Sequence, residues 1–90
     1  MAIDLALSNR SRRYGYIYWR KKDDQSVRSL LGSSQELQLI LNGHPLGRKR
    51  VDWKNRRISL GWKQTRNLDK TMKVLRLLID RDGSLSVRCL

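Results

Sequence analysis

Ninety residues give room for one domain, and twenty Lys or Arg against eight Asp or Glu leave a formal charge of +12 at pH 7. With 39% hydrophobic residues and one proline, the composition is that of a globular chain rather than a disordered one. Self-repulsion on this scale favours a polyanionic partner, and no apolar run approaches the length of a membrane-crossing helix.

An anionic membrane surface would take the same charge, but no long basic amphipathic helix is present to lie on one, so no membrane partner is expected. The opening MAIDLALSNRSRR lacks the basic-then-apolar order of a signal peptide. Cys89 is the sole cysteine and has no internal partner. These features predict a cytoplasmic, intracellular protein, with nucleoid association left open.

In chain order, residues 1–13 alternate weakly through Ile3, Leu5 and Leu7 and then turn basic at Arg10, Arg12 and Arg13. They are expected to form a basic flexible arm, with an edge strand as the alternative. Residues 14–90 are expected to form a single small β-rich domain. Its first strand is Tyr14 to Trp19, dense in aromatic and β-branched residues, with Tyr14, Tyr16 and Tyr18 on one face and Gly15, Ile17 and Trp19 on the other.

Asp23 or Asp24 then caps a short helix carrying Val27, Leu30 and Leu31, which Gly32 stops. Leu37 to Leu41 is a strand, and Asn42-Gly43 turns it into a short return through His44 to Gly47. Val51 to Trp53 and Ile58 to Trp62 read as two further strands joined through Lys54, Asn55 and Arg56. Gln64 to Asp69 is one helical turn at most. Lys73 to Ile79 and Leu85 to Cys89 make a hairpin about Asp80-Arg81-Asp82-Gly83.

Arg48 to Arg66 concentrates the chemistry. Arg48, Lys49, Arg50, Lys54, Arg56, Arg57, Lys63 and Arg66 face one acid, Asp52, and two tryptophans, Trp53 and Trp62, lie among them. Cations take phosphates and flat rings take bases or sugars, so these eight, with Arg10, Arg12 and Arg13, are the candidate nucleic-acid contacts. Trp53 and Tyr16 are the candidate stacking residues; the three tyrosines offer such a face on a strand. His44 has no second histidine beside it, and no metal or cofactor site is predicted.

The segment LQLILNGHPLG from Leu37 echoes LRLLIDRDGSL from Leu75, and each follows a strand in which Ile17 answers Ile58. Two strand–connector–hairpin halves, 14–47 and 51–90, are the expected organisation. The fold expected is mainly β with one short helix, a small barrel-like or swapped-hairpin domain. Val51-Asp52-Trp53-Lys54-Asn55-Arg56-Arg57-Ile58-Ser59-Leu60 resembles the strand pair of the AbrB-like swapped-hairpin DNA-binding family, and GYIYWRKK resembles a second copy. The turn here is one residue longer than in that family, its glycine is replaced, and Arg20 and Gly61 stand where a proline usually follows.

That resemblance implies duplex DNA as ligand, a homodimer as one assembly, and Arg57 as the turn arginine, with Tyr16 at its place in the first half. Charge alone leaves RNA open. The leading expectation is a small DNA-binding regulatory domain using a basic β-turn surface. An RNA-binding β-domain and a basic module docking an acidic protein are the alternatives. With one His, one Cys and no paired carboxylates or phosphate loop, no enzyme is expected.

Overall fold

The computed structural model describes residues 2–90. Strands β1 (Ala2–Ala6), β2 (Tyr16–Tyr18), β3 (Glu36–Leu41), β4 (His44–Asp52), β5 (Arg57–Ser59), β6 (Val74–Ile79) and β7 (Leu85–Cys89) form one sheet in the order β1-β6-β7-β3-β4-β5-β2. All neighbours are antiparallel except β3 and β7, and the sheet curls into a nearly closed barrel. Three short helices, α1 (Asn9–Tyr14), α2 (Asp24–Leu31) and α3 (Trp62–Thr65), lie in the connections, with a 3-10 turn over Lys21–Asp23.

Alternation decides which way each strand faces. Leu37, Leu39 and Leu41 of β3, Leu75 and Leu77 of β6, and Leu85, Val87 and Cys89 of β7 point inward and are buried. Ile17 and Ile58, paired across β2 and β5, complete that core with Leu39 and Val51. Each leucine so buried contributes about 1.5–3 kcal/mol from the area it withdraws from water. α2 packs on β1 and β6, and its Val27 and Leu31 join the same cluster.

Over the two expected halves the elements run β2-α2-β3-β4 and then β5-α3-β6-β7. Their boundary falls elsewhere than the sequence suggested, because β4 runs unbroken from His44 to Asp52 past a bulge opposite Leu39 and Ile40. Val51 thus belongs to the return strand of the first hairpin. Asn42 and Gly43, with φ of 48° and 84°, make the expected tight turn.

Two expectations are corrected. The segment expected as a flexible arm is folded, apart from Met1, which lies outside the described residues. Its alternation is an edge strand, with Leu5 opposite Leu75 and Leu7 buried; Ser8 then caps α1, its hydroxyl accepting the Ser11 N–H at 3.0 Å. The second correction is that one expected helix becomes three. The strand expected through Trp62 stops at Ser59, and Gly61, at φ 91°, turns the chain into α3.

Candidate nucleic-acid interface

β2 and β5 sit at one end of the sheet, and their outward residues follow from the inward ones. With Ile17 and Ile58 committed to the core, Tyr16 and Tyr18 face out beside Ser59 and Arg57, their register partners. The two rings lie 5.5 Å apart between centroids, tilted by 48°. A guanidinium covers each: Arg57 stands 4.6 Å from the Tyr16 centroid and Arg10 4.3 Å from that of Tyr18.

Arg10 arrives from α1. Spacing of three and four residues puts Arg10, Arg13 and Tyr14 on one helical face, while Ser11 is fully buried between the helix and the barrel. Gly15 ends the helix at φ 74°, and a Cβ there would stand 2.2 Å from the backbone nitrogen of Trp62. Only glycine fits, so α1 and α3 are locked backbone to backbone. The Gly15 carbonyl accepts from Leu60 and Gly61, and the Thr65 hydroxyl donates to the Arg12 carbonyl at 2.9 Å.

Three hollows adjoin this face. One of about 330 Å³ is lined by Arg10, Tyr14, Tyr16, Tyr18 and Arg57. A second, about 550 Å³, shares Tyr16 and Arg57 with it and continues along Arg50, Asp52, Trp53 and Lys54. The third, about 720 Å³, shares Arg10 and Tyr18 and extends past Arg20, Lys21, Lys22 and Arg56. The three are contiguous, and the tyrosine pair lies at their middle.

Their electrostatics are lopsided. Only four of the twenty cations, Arg28, Arg48, Arg57 and Arg76, lie within ion-pairing distance of a carboxylate among the described residues. The acids near the hollows are mostly engaged. Asp52 is held below the usual carboxylate range by Asn55, whose side chain and backbone both donate to it, and by Arg57. Asp4 is held low by Arg76, which forks onto it at 2.8 and 3.0 Å.

The structure sorts the sequence-predicted residues. Arg10, Arg50, Lys54 and Arg57 come together with Tyr16, and Arg56 lines the third hollow, although its Nε is buried without a partner. Arg13 stands near Tyr14, 6.0 Å from its ring centroid. Arg48 is exposed on the same outward face as Arg50 but leans toward Glu36 at 3.9 Å. Lys63 and Arg66 gather over Trp62, which is 52% exposed, with Arg66 at 4.9 Å from its ring.

Three placements depart from expectation. Arg12 is spent on the fold, donating to the carbonyls of Leu68, Asp69 and Met72. Lys49 is paired with the buried Leu37, so alternation turns it away from Arg48 and Arg50. Trp53 is half-buried: its indole N–H donates to the Ser34 carbonyl at 3.0 Å, Trp19 meets it edge-on at 5.8 Å, and Arg28 covers it at 4.7 Å.

Sequence reasoning singled out Tyr18 only as part of the tyrosine face, and it missed Arg20, Lys21 and Lys22 as site residues. The alternation of Tyr14 to Trp19 was the available signal for Tyr18; the other three became neighbours of Arg56 only through the fold. Chemically, the face offers exchangeable contacts. An exposed cation–π contact is worth about 0.5–1 kcal/mol, and a base stacked on an aromatic ring about 1–3 kcal/mol. A base can therefore displace a guanidinium from a tyrosine and leave it free for phosphate.

The chain matches no protein-family model, no curated protein and no solved structure. Among the described residues there is no helix long and apolar enough to cross a membrane, and no cluster of three metal-ligating side chains.

Proposed function

We propose that this protein is a nucleic-acid-binding module whose contact surface is the outward face of β2 and β5 with the flanking α1 and the 50–57 segment. The observation that carries this reading is the juxtaposition of two partly exposed tyrosines with an arginine stacked on each, Arg10 having no carboxylate within ion-pairing distance among the described residues and Arg57 sharing Asp52 with Asn55. Net charge supports a polyanion, and the rings narrow it to one that also presents flat apolar groups.

Phosphate neutralisation releases counterions, so affinity falls steeply with salt. If about five phosphates are engaged, the logarithm of the binding constant declines with that of salt at a slope of about −3.5 on a single strand and about −4.5 on a duplex. Fluorescence anisotropy with labelled oligonucleotides between low and moderate salt measures it. Absence of binding at low salt to every nucleic acid form overturns the proposal.

A further inference from the structure

We infer that the ligand is a single strand, RNA or DNA, laid across the three contiguous hollows, with successive bases on Tyr16 and Tyr18 in place of the guanidinium groups of Arg57 and Arg10. The inference rests on the nucleic-acid reading above and adds the form of the ligand and its path.

The argument is one of faces. A base in a duplex has its faces covered by its neighbours and presents only edges to the grooves, whereas an unpaired base offers a whole face to a ring. Tyr16 and Tyr18 present rings, side by side on a strand, near enough for consecutive bases. Their 48° tilt suits bases splayed from one another, which a stacked duplex forbids.

Charge continues the path on both sides. Beyond Tyr16 lie Arg50 and Lys54, and beyond Tyr18 lie Lys21 and Lys22, all without a carboxylate within ion-pairing distance among the described residues. The backbone can thus be neutralised before and after the stacked bases. Arg10 and Arg57 already sit at the rings; Arg10 need only swing to the adjoining phosphate, and Arg57 also leaves Asp52 to do so.

The test compares oligouridine, oligothymidine and a mixed-sequence blunt duplex of equal length, by anisotropy, against the native chain and the variants Tyr16→Leu, Tyr18→Leu and Tyr18→Phe. Each leucine variant is expected to bind the single strands about tenfold more weakly, with an unchanged salt slope because no charge is lost. Tyr18→Phe, which keeps a ring, is expected to stay within about twofold of native. Duplex binding should be the weaker and should hardly respond to any of the three. Tighter binding of oligouridine assigns RNA as the source of the strand, and tighter binding of oligothymidine assigns DNA.

Circular dichroism and a thermal melt confirm that each variant is folded; where a leucine variant is not, the comparison of single strands with the duplex on the native chain decides alone. Salt-dependent duplex binding that equals or exceeds single-strand binding, or leucine variants that match the native chain, overturns the single-strand inference and leaves the broader reading standing. No binding of any probe at low salt overturns both.

Discussion

The two ends of the sheet treat charge in opposite ways. At the β1 end Asp4 and Arg76 face each other across the register and close into a forked pair, so the edge is electrically settled. At the β2 end Arg57 shares Asp52 with Asn55 and leans on Tyr16, Arg10 stacks on the Tyr18 ring, and among the described residues Arg10, Arg50 and Lys54 have no carboxylate within ion-pairing distance. One end has its facing charges paired, and the other, on the function proposed above, is completed by a ligand that is anionic and flat. Edge strands need covering, and α1, which contacts β2, brings Arg10 to that edge.

The largest way to break that contrast is to move α1. Gly15→Ala asks for a side chain at positive φ and places its Cβ against the Trp62 backbone, where neither partner is a flexible side chain end. Overpacking and backbone strain together are expected to cost about 3 kcal/mol or more, lowering the melting temperature by at least about 12 °C. Calorimetry measures it; a melt unchanged from native would show that α1 and α3 are not locked as described. Any residual fold should retain the β6–β7 hairpin, which Gly15 does not touch.

A smaller change separates two arginines on the same helix. Arg12→Ala removes the donor shared by three loop carbonyls and is expected to cost about 1–3 kcal/mol, with nucleic-acid affinity lost only through unfolding. Arg10→Ala should leave stability within about 1 kcal/mol and reduce the salt slope of binding by about one unit. Denaturant titration and anisotropy on both variants read the pair. Reversed roles would mean that the hollow beside Tyr18 is not where the ligand lies.

These two arginines also mark how far the sequence could be read. Inward residues were legible because alternation and burial coincide: Ile17, Trp19, Leu37, Leu39 and Leu41 are where the pattern places them. The Asp-Gly and Asn-Gly hairpins were legible for their turn chemistry. α1 was not, since NRSRRY carries one hydrophobic residue, the exposed Tyr14, which cannot set a period, and its inward position is Ser11. Basic residues sort least well of all. Arg12 and Arg10 look alike in a sequence, and only the approach of the 68–72 loop decides that one binds carbonyls and the other a tyrosine. The sequence left Trp53 open between exposure and burial for want of its partners, Trp19, Arg28 and Ser34, which lie 19 residues or more away along the chain.

The smallest effects come from the acids, and they sharpen the contrast between the ends. Asp4 is held low by Arg76, Asp24 by the Trp19 indole and then Arg28, Asp52 by Asn55 and then Arg57, and Asp69 and Asp82 by Thr71 and Ser84. A carboxyl held below its unfolded value stabilises the fold fully above that value, about 4, and loses the contribution as pH falls through its lower folded value. Stability should accordingly be level between about pH 5 and 7 and decline below about pH 4, as thermal melts across that range would show. High salt should weaken the share of Asp4, whose main partner is a cation, and spare that of Asp52, whose main partner is a neutral amide. It follows that a ligand drawing Arg57 away does not protonate Asp52, which stays ionised in the hollow and repels phosphate. Asp52→Asn keeps an oxygen for the Asn55 N–H and removes that repulsion, so binding is expected to tighten a few-fold, while Asp4→Asn leaves affinity unchanged. Unchanged binding by a folded Asp52→Asn would place the ligand away from Arg57 and return the β2 end to an ordinary solvated edge.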